Sequence, residues 1–92
     1  MTIYKGLQNL LGISSVLSEQ GLIYWQKGMK EQALSFLQES LEIRQKIGNK
    51  VLVAASLSYK IQFNVELNNI EEAEKHFESL DLINKEIKNK HV

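Results

Sequence analysis

The sequence contains no cysteine and no proline, and its charges cancel, 11 Lys and Arg against 11 Asp and Glu. Without cysteine there is no disulfide framework and no thiolate metal site, and the redox compartment leaves no trace. Without an excess of either sign, nothing argues for a nucleic-acid partner or a charged membrane surface. No apolar run approaches the roughly 20 residues of a membrane span. The N-terminus MTIYKGLQNLLG has no basic segment ahead of an apolar core, so no secretory signal is visible in it. These absences make a cytoplasmic protein the expectation. Missing proline suits helix, since an interior proline costs about 3 kcal/mol. What remains, 43% apolar and 24% charged over 92 residues, is the composition of one small folded domain.

The chain matches itself when shifted by 40 residues. Ile3, Ile43 and Ile83 coincide, as do Leu7, Ile47 and Ile87, and Asn9, Asn49 and Asn89. Leu17 meets Leu57, Glu31 meets Glu71, Ala33 meets Ala73, Leu37 meets Phe77 and Lys50 meets Lys90. Gly28 meets Asn68. Glycine and asparagine most readily adopt the left-handed conformation that ends a helix, so both copies stop a helix at the same point. Each unit is therefore a helical hairpin. In the first, helix A covers residues 11–27 and helix B 30–47, ended at Gly48. In the second, helix A covers 51–67 and helix B 70–87. Residues 1–10 form the tail of a preceding helix, 11–48 the first repeat and 51–88 the second, in a single domain.

The first helix B has a wide, mainly apolar stripe at three- and four-residue spacing: Ala33, Leu37 and Leu41, with Phe36, Ser40, Ile43 and Ile47. VLVAASLSYKIQFNVEL, residues 51–67, instead alternates apolar and polar, as a strand does. Helix is nevertheless expected, because the segment far exceeds the usual strand length and its counterpart at 11–27 does not alternate. As a helix it has one apolar face of Ala54, Leu57, Ile61 and Val65 and a second of Ala55, Tyr59 and Phe63.

With Leu17 before them and Phe36, Leu37 and Leu41 after, Gly21, Tyr24, Gly28 and Ala33 carry a resemblance to the tetratricopeptide repeat, in a longer variety of about 40 residues. That family has a small residue midway along helix A, an aromatic one turn later, a glycine at the turn and an alanine in helix B. The second unit keeps Leu57 and Ala73 but has Ile61 and Asn64 in place of the glycine and the aromatic. The resemblance implies an all-α fold of antiparallel helical hairpins stacked as a right-handed superhelix. The small Gly21 and Ala33 would let helices A and B cross closely.

The resemblance also implies a concave groove lined by helix A. Its groove-facing positions fall on Ser15, Ser18, Leu22, Trp25 and Gln26 in the first unit, and on Ala55, Ser58, Gln62, Val65 and Glu66 in the second. The implied function is a non-catalytic scaffold or adaptor that holds a protein or peptide partner there. Tyr24 reads as packing. Trp25 reads either as a ligand anchor, a favoured role for tryptophan, or as packing against the N-terminal segment or a second chain. Some family members bind a peptide's C-terminal carboxylate through groove lysines and asparagines. Ser18, Leu22, Ser58 and Gln62 occupy those places, so that activity is not implied. Lys60 and Asn64 fall on another stripe and read as solvated.

No catalytic or metal constellation is legible, and no cofactor is expected. His76 with Glu72 supplies only two metal ligands and reads as a surface histidine, while His91 lies in the terminal tail. Serines 14, 15, 18, 35, 40, 56, 58 and 79 have no histidine partner in a hydrolase-like motif.

Leu34, Phe36 and Leu41 become Glu74, His76 and Asp81 in the second copy, the polarity of a terminal helix. At the other end Leu7, Leu10, Leu11, Ile13 and Val16 are expected to be partly uncovered. Either the chain belongs to a longer array, or it covers that end by forming a homodimer about a two-fold axis.

Overall fold

The computed structural model describes residues 2–91, with side chains described for 9–88. The side chains of Ile3, Leu7, Lys90 and His91 lie outside the described residues. Four helices follow in order: α1 (Thr2–Gln26), α2 (Lys30–Ile47), α3 (Lys50–Glu66) and α4 (Ile70–His91), and the described residues contain no strand. They form two compact units, Met1–Asn49 and Lys50–Val92. Each unit is one hairpin, α1 packing on α2 and α3 on α4.

The turns are set by three residues of positive φ: Gly28 at 85°, Gly48 at 80° and Asn68 at 66°. The two hairpin turns repeat bond for bond. Gly28 N donates to Trp25 O at 3.0 Å and Met29 N to Tyr24 O at 2.9 Å. Forty residues later Asn68 N donates to Val65 O at 3.0 Å and Asn69 N to Asn64 O at 2.8 Å. These bonds satisfy carbonyls that a helix end would otherwise leave open.

In the first hairpin the close crossing is real. A Cβ on Gly21 would stand 3.0 Å from Leu37 Cγ and 3.2 Å from the Ala33 carbonyl oxygen. Leu37 and Ala33 are fully buried, so neither has room to retreat. Tyr24 packs at this seam as expected, its ring centroid 5.0 Å from that of Phe36.

The tail and first helix A expected as separate elements are one continuous helix, Thr2–Gln26. Neither proline nor a left-handed residue interrupts it, and Gly12 keeps helical geometry.

Of the segment 51–67 all but Leu67, which begins the turn, is helical, but its buried face differs from the two faces expected. Val53, Ser56, Leu57, Lys60, Phe63 and Asn64 are buried at three- and four-residue steps, while Ala55 and Val65 are exposed. An alternating sequence wound at 100° per residue spreads apolar side chains around the helix. Which stripe is buried is then decided by packing, and it includes polar residues. Lys60 and Asn64 are accordingly buried, not solvated, and Asn64 Nδ2 donates to Lys60 O at 2.7 Å. His76 is likewise no surface residue. Its side chain is 17% exposed, and Nε2 is buried without a hydrogen-bond partner, 3.7 Å from Glu72 Oε2. It occupies on α4 the place that Phe36 holds on α2, a packing position. Phe77, the counterpart of Leu37, is 60% exposed. Ile61 in the place of Gly21 leaves no comparable niche for a large side chain.

Candidate partner-binding surface

In the first unit, Ser15, Leu22, Trp25 and Gln26 lie along one stripe of α1. Ser15 and Gln26 are exposed, and Leu22 and Trp25 half-buried. Lys30, the first residue of α2, places its ammonium 5.1 Å from the Trp25 ring centroid. A cation over the ring is attracted to its negative face and holds it in one orientation. The left-handed turn at Gly28 brings Lys30 to this position, so the helix stop also arranges the candidate anchor. Tyr24, one residue earlier and about 100° around the helix, faces the hairpin seam instead.

Ser18 does not belong to the stripe. It is buried in a polar network between α1 and α2 that the sequence reading missed. Ser40 Oγ donates to the Ser14 carbonyl at 2.7 Å and lies 2.8 Å from Ser18 Oγ. With its own proton engaged, Ser40 receives that of Ser18. Ser14 Oγ donates to Leu11 O at 2.9 Å and accepts from Arg44 Nε at 3.2 Å. The sign of this network was present in the sequence: Ser14, Ser18 and Gly21 are small residues at four- and three-residue spacing on the face that meets α2. Five of the serines dismissed as catalytic candidates are buried or turned back to their own helix: Ser14, Ser18, Ser40 and Ser56 are buried, and Ser58 bonds within α3.

In the second unit Ser58, Gln62, Val65 and Glu66 are exposed along one stripe of α3, as is Ala55. Ser58 Oγ is turned back to its own helix, donating to Ala54 O at 3.0 Å. Val65 is the one large apolar residue of this stripe.

A different face of α1 is the more apolar. Leu10, Ile13, Val16 and Ile23 are exposed, and Asn9, Gly12, Ile13, Val16 and Leu17 line an open depression of about 530 Å³. Among the described residues no group of three or more His, Asp or Glu stands close enough to hold a metal ion. No described helix is long and apolar enough to cross a membrane. Burial, then Lys60 and Lys75, lower the His76 pKa against the opposing effect of Glu72.

Residues 14–47 match the tetratricopeptide repeat family. The matched segment runs from Ser14 on α1 to the last residue of α2, so it contains the Gly21–Leu37 crossing and the Gly28 turn. No curated protein and no solved structure matches the chain significantly.

Proposed function

From the premise that residues 14–47 are a tetratricopeptide repeat, a unit of protein–protein interaction scaffolds that are generally non-catalytic, we propose that this protein is a non-catalytic adaptor. Its A helices hold a peptide or a partner helix, with Trp25 as the anchor. The observation that carries this reading is the half-buried Trp25 beside Leu22, its ring held under Lys30. Such a side chain has already lost part of its rotamer freedom and still offers aromatic surface, which is how interface hot spots act. Around it Ser15 and Gln26 offer neutral hydrogen-bonding groups; in the second unit, by itself, α3 exposes Ser58, Gln62, Val65 and Glu66. The half-buried Trp25 ring and the neighbouring Leu22 suit an apolar or aromatic side chain of the partner.

The test is capture of partners from extracts of the native source by wild type and by Trp25→Ala. The expected result is loss of the captured protein, by about 2 kcal/mol or more in affinity, with melting nearly unchanged. A large fall in melting temperature would assign Trp25 to packing instead.

A second reading, self-association with a homodimer through the N-terminal end, is favoured by the apolar face of α1 at Leu10, Ile13, Val16 and Ile23. A monomer at every concentration would overturn it.

A further inference from the structure

We propose that the protein segment held at Trp25 is acidic: it brings Asp or Glu side chains beside its apolar anchor, and Lys27 and Lys30 receive them. This rests on the adaptor reading with Trp25 as the anchor, and it names the partner's chemistry. Both lysines are exposed and flank the first hairpin turn. Lys27 Nζ stands 5.7 Å from the Tyr24 ring centroid, and Lys30 Nζ 5.1 Å from that of Trp25. Elsewhere lysines pair with acids: Lys50 with Glu86, Lys75 with Glu72 and Lys85 with Asp81. Among the described residues neither Lys27 nor Lys30 has a carboxylate within 4.0 Å. Glu31 follows Lys30 in sequence and Glu19 lies earlier on α1; both are exposed, and neither closes an ion pair with these lysines. A ring attracts an exposed ammonium only modestly and leaves its remaining donors open to a carboxylate.

Desolvation decides the partner's chemistry. A side chain packed on Trp25 also covers the ammonium of Lys30, and withdrawing an unpaired charge from water is unfavourable. A carboxylate beside that side chain offsets the cost, and a neutral segment does not. Lys30 gains nothing as the first residue of α2, where the helix dipole disfavours a cation. Forty residues on, Tyr24, Trp25, Lys27 and Lys30 are replaced by Asn64, Val65, Leu67 and Ile70, which include neither ring nor cation. The acid-receiving surface is therefore confined to the first repeat. Two lysines with Glu31 beside them in sequence match the few carboxylates of a peptide. A phosphate backbone would meet that glutamate as well.

The test uses the full chain and the fluorescence of Trp25, its only tryptophan. Peptides are selected on the wild type from a random displayed library built without tryptophan. The best binder is then made with blocked ends, so that only side chains carry charge, in its selected form and with its acids changed to Lys. The selected peptides are expected to place Asp or Glu within about four residues of an apolar or aromatic side chain, a spacing of one helical turn, and to shift Trp25 emission. Lys27→Glu with Lys30→Glu should weaken binding at least ~10-fold, and the double variant should prefer the Lys form of the peptide. Lys27→Glu alone should also weaken it, and because Lys27 stands over Tyr24 rather than over the anchor, that loss reports charge and not ring position. Lys46→Glu, at the far end of α2, should leave binding unchanged, and circular dichroism verifies that each variant is folded. Peptides that need Trp25 but are neutral or basic, or that tolerate the double reversal, overturn the acidic partner and leave the adaptor reading standing. A short oligothymidylate that shifts Trp25 emission as strongly as the peptides assigns the lysines to phosphate and overturns it too. If no peptide is selected, or if binding survives Trp25→Ala, the anchor reading falls together with this one.

Discussion

His76 illustrates how one side chain can make a hairpin sensitive to pH. It stands on α4 where α2 has Phe36, with a buried Nε2 that has no partner and with Lys60 and Lys75 nearby. Burial and those cations hold its folded pKa below the ordinary histidine value. Above the unfolded value both states are neutral, and the stability is fully present. As pH falls, the unfolded chain takes up the proton first, and stability is lost as pH passes through the lower folded value. His76→Phe removes both the unpaired nitrogen and the titration. The variant should be more stable than wild type by about 1 kcal/mol at neutral pH. Its advantage should widen as pH is lowered from about 7 to 5, as measured by melting temperature. An advantage that stays constant with pH would show that His76 does not titrate differently in the folded state. The sequence placed this residue opposite Phe36 through the forty-residue period, but histidine's polarity argued for the surface. Only packing showed that it is enclosed.

At the level of the helix, Gly21 carries the first hairpin. Glycine inside a helix is unfavourable by about 1 kcal/mol relative to alanine, and here it is offset by the approach of Leu37 and the Ala33 carbonyl. Gly21→Val should therefore destabilise the protein by about 1–3 kcal/mol through overpacking. Urea unfolding is the check, and an unchanged midpoint would mean that the crossing can open without penalty. The helix stops at Gly28, Gly48 and Asn68 were legible because they rest on backbone sterics, which depend on one residue at a time. The buried stripe of α3 was not. Alternating apolar residues put some hydrophobic surface on every side of a helix, and the stripe chosen contains Ser56, Lys60 and Asn64. Small residues at Ser14, Ser18 and Gly21 marked the face of α1 that meets α2, but not the Ser14–Ser18–Ser40–Arg44 network itself: partners 22 to 30 residues apart have no pairing rule in sequence.

For the molecule as a whole, equal numbers of acidic and basic side chains leave no net charge to steer or repel a partner at long range. Self-association through the apolar residues Leu10, Ile13, Val16 and Ile23 of α1, the second reading above, should accordingly depend little on salt. Between about 0.05 and 0.5 M, where the screening length falls several-fold, the dimer dissociation constant should change by less than about threefold. Sedimentation equilibrium would reveal a stronger dependence, which would point to charged residues in the contact. The repeat itself, its all-helical character and its turns were determined by sequence alone, because left-handed glycine and asparagine and small residues at a crossing act through local geometry. The division of roles along α1 was decided by tertiary structure. Ser18 and Tyr24 turn to the hairpin seam, Trp25 sits under Lys30, and Ile13 and Val16 face outward. These assignments depend on which helix lies across each face, and a helical period describes every face without saying which one is covered.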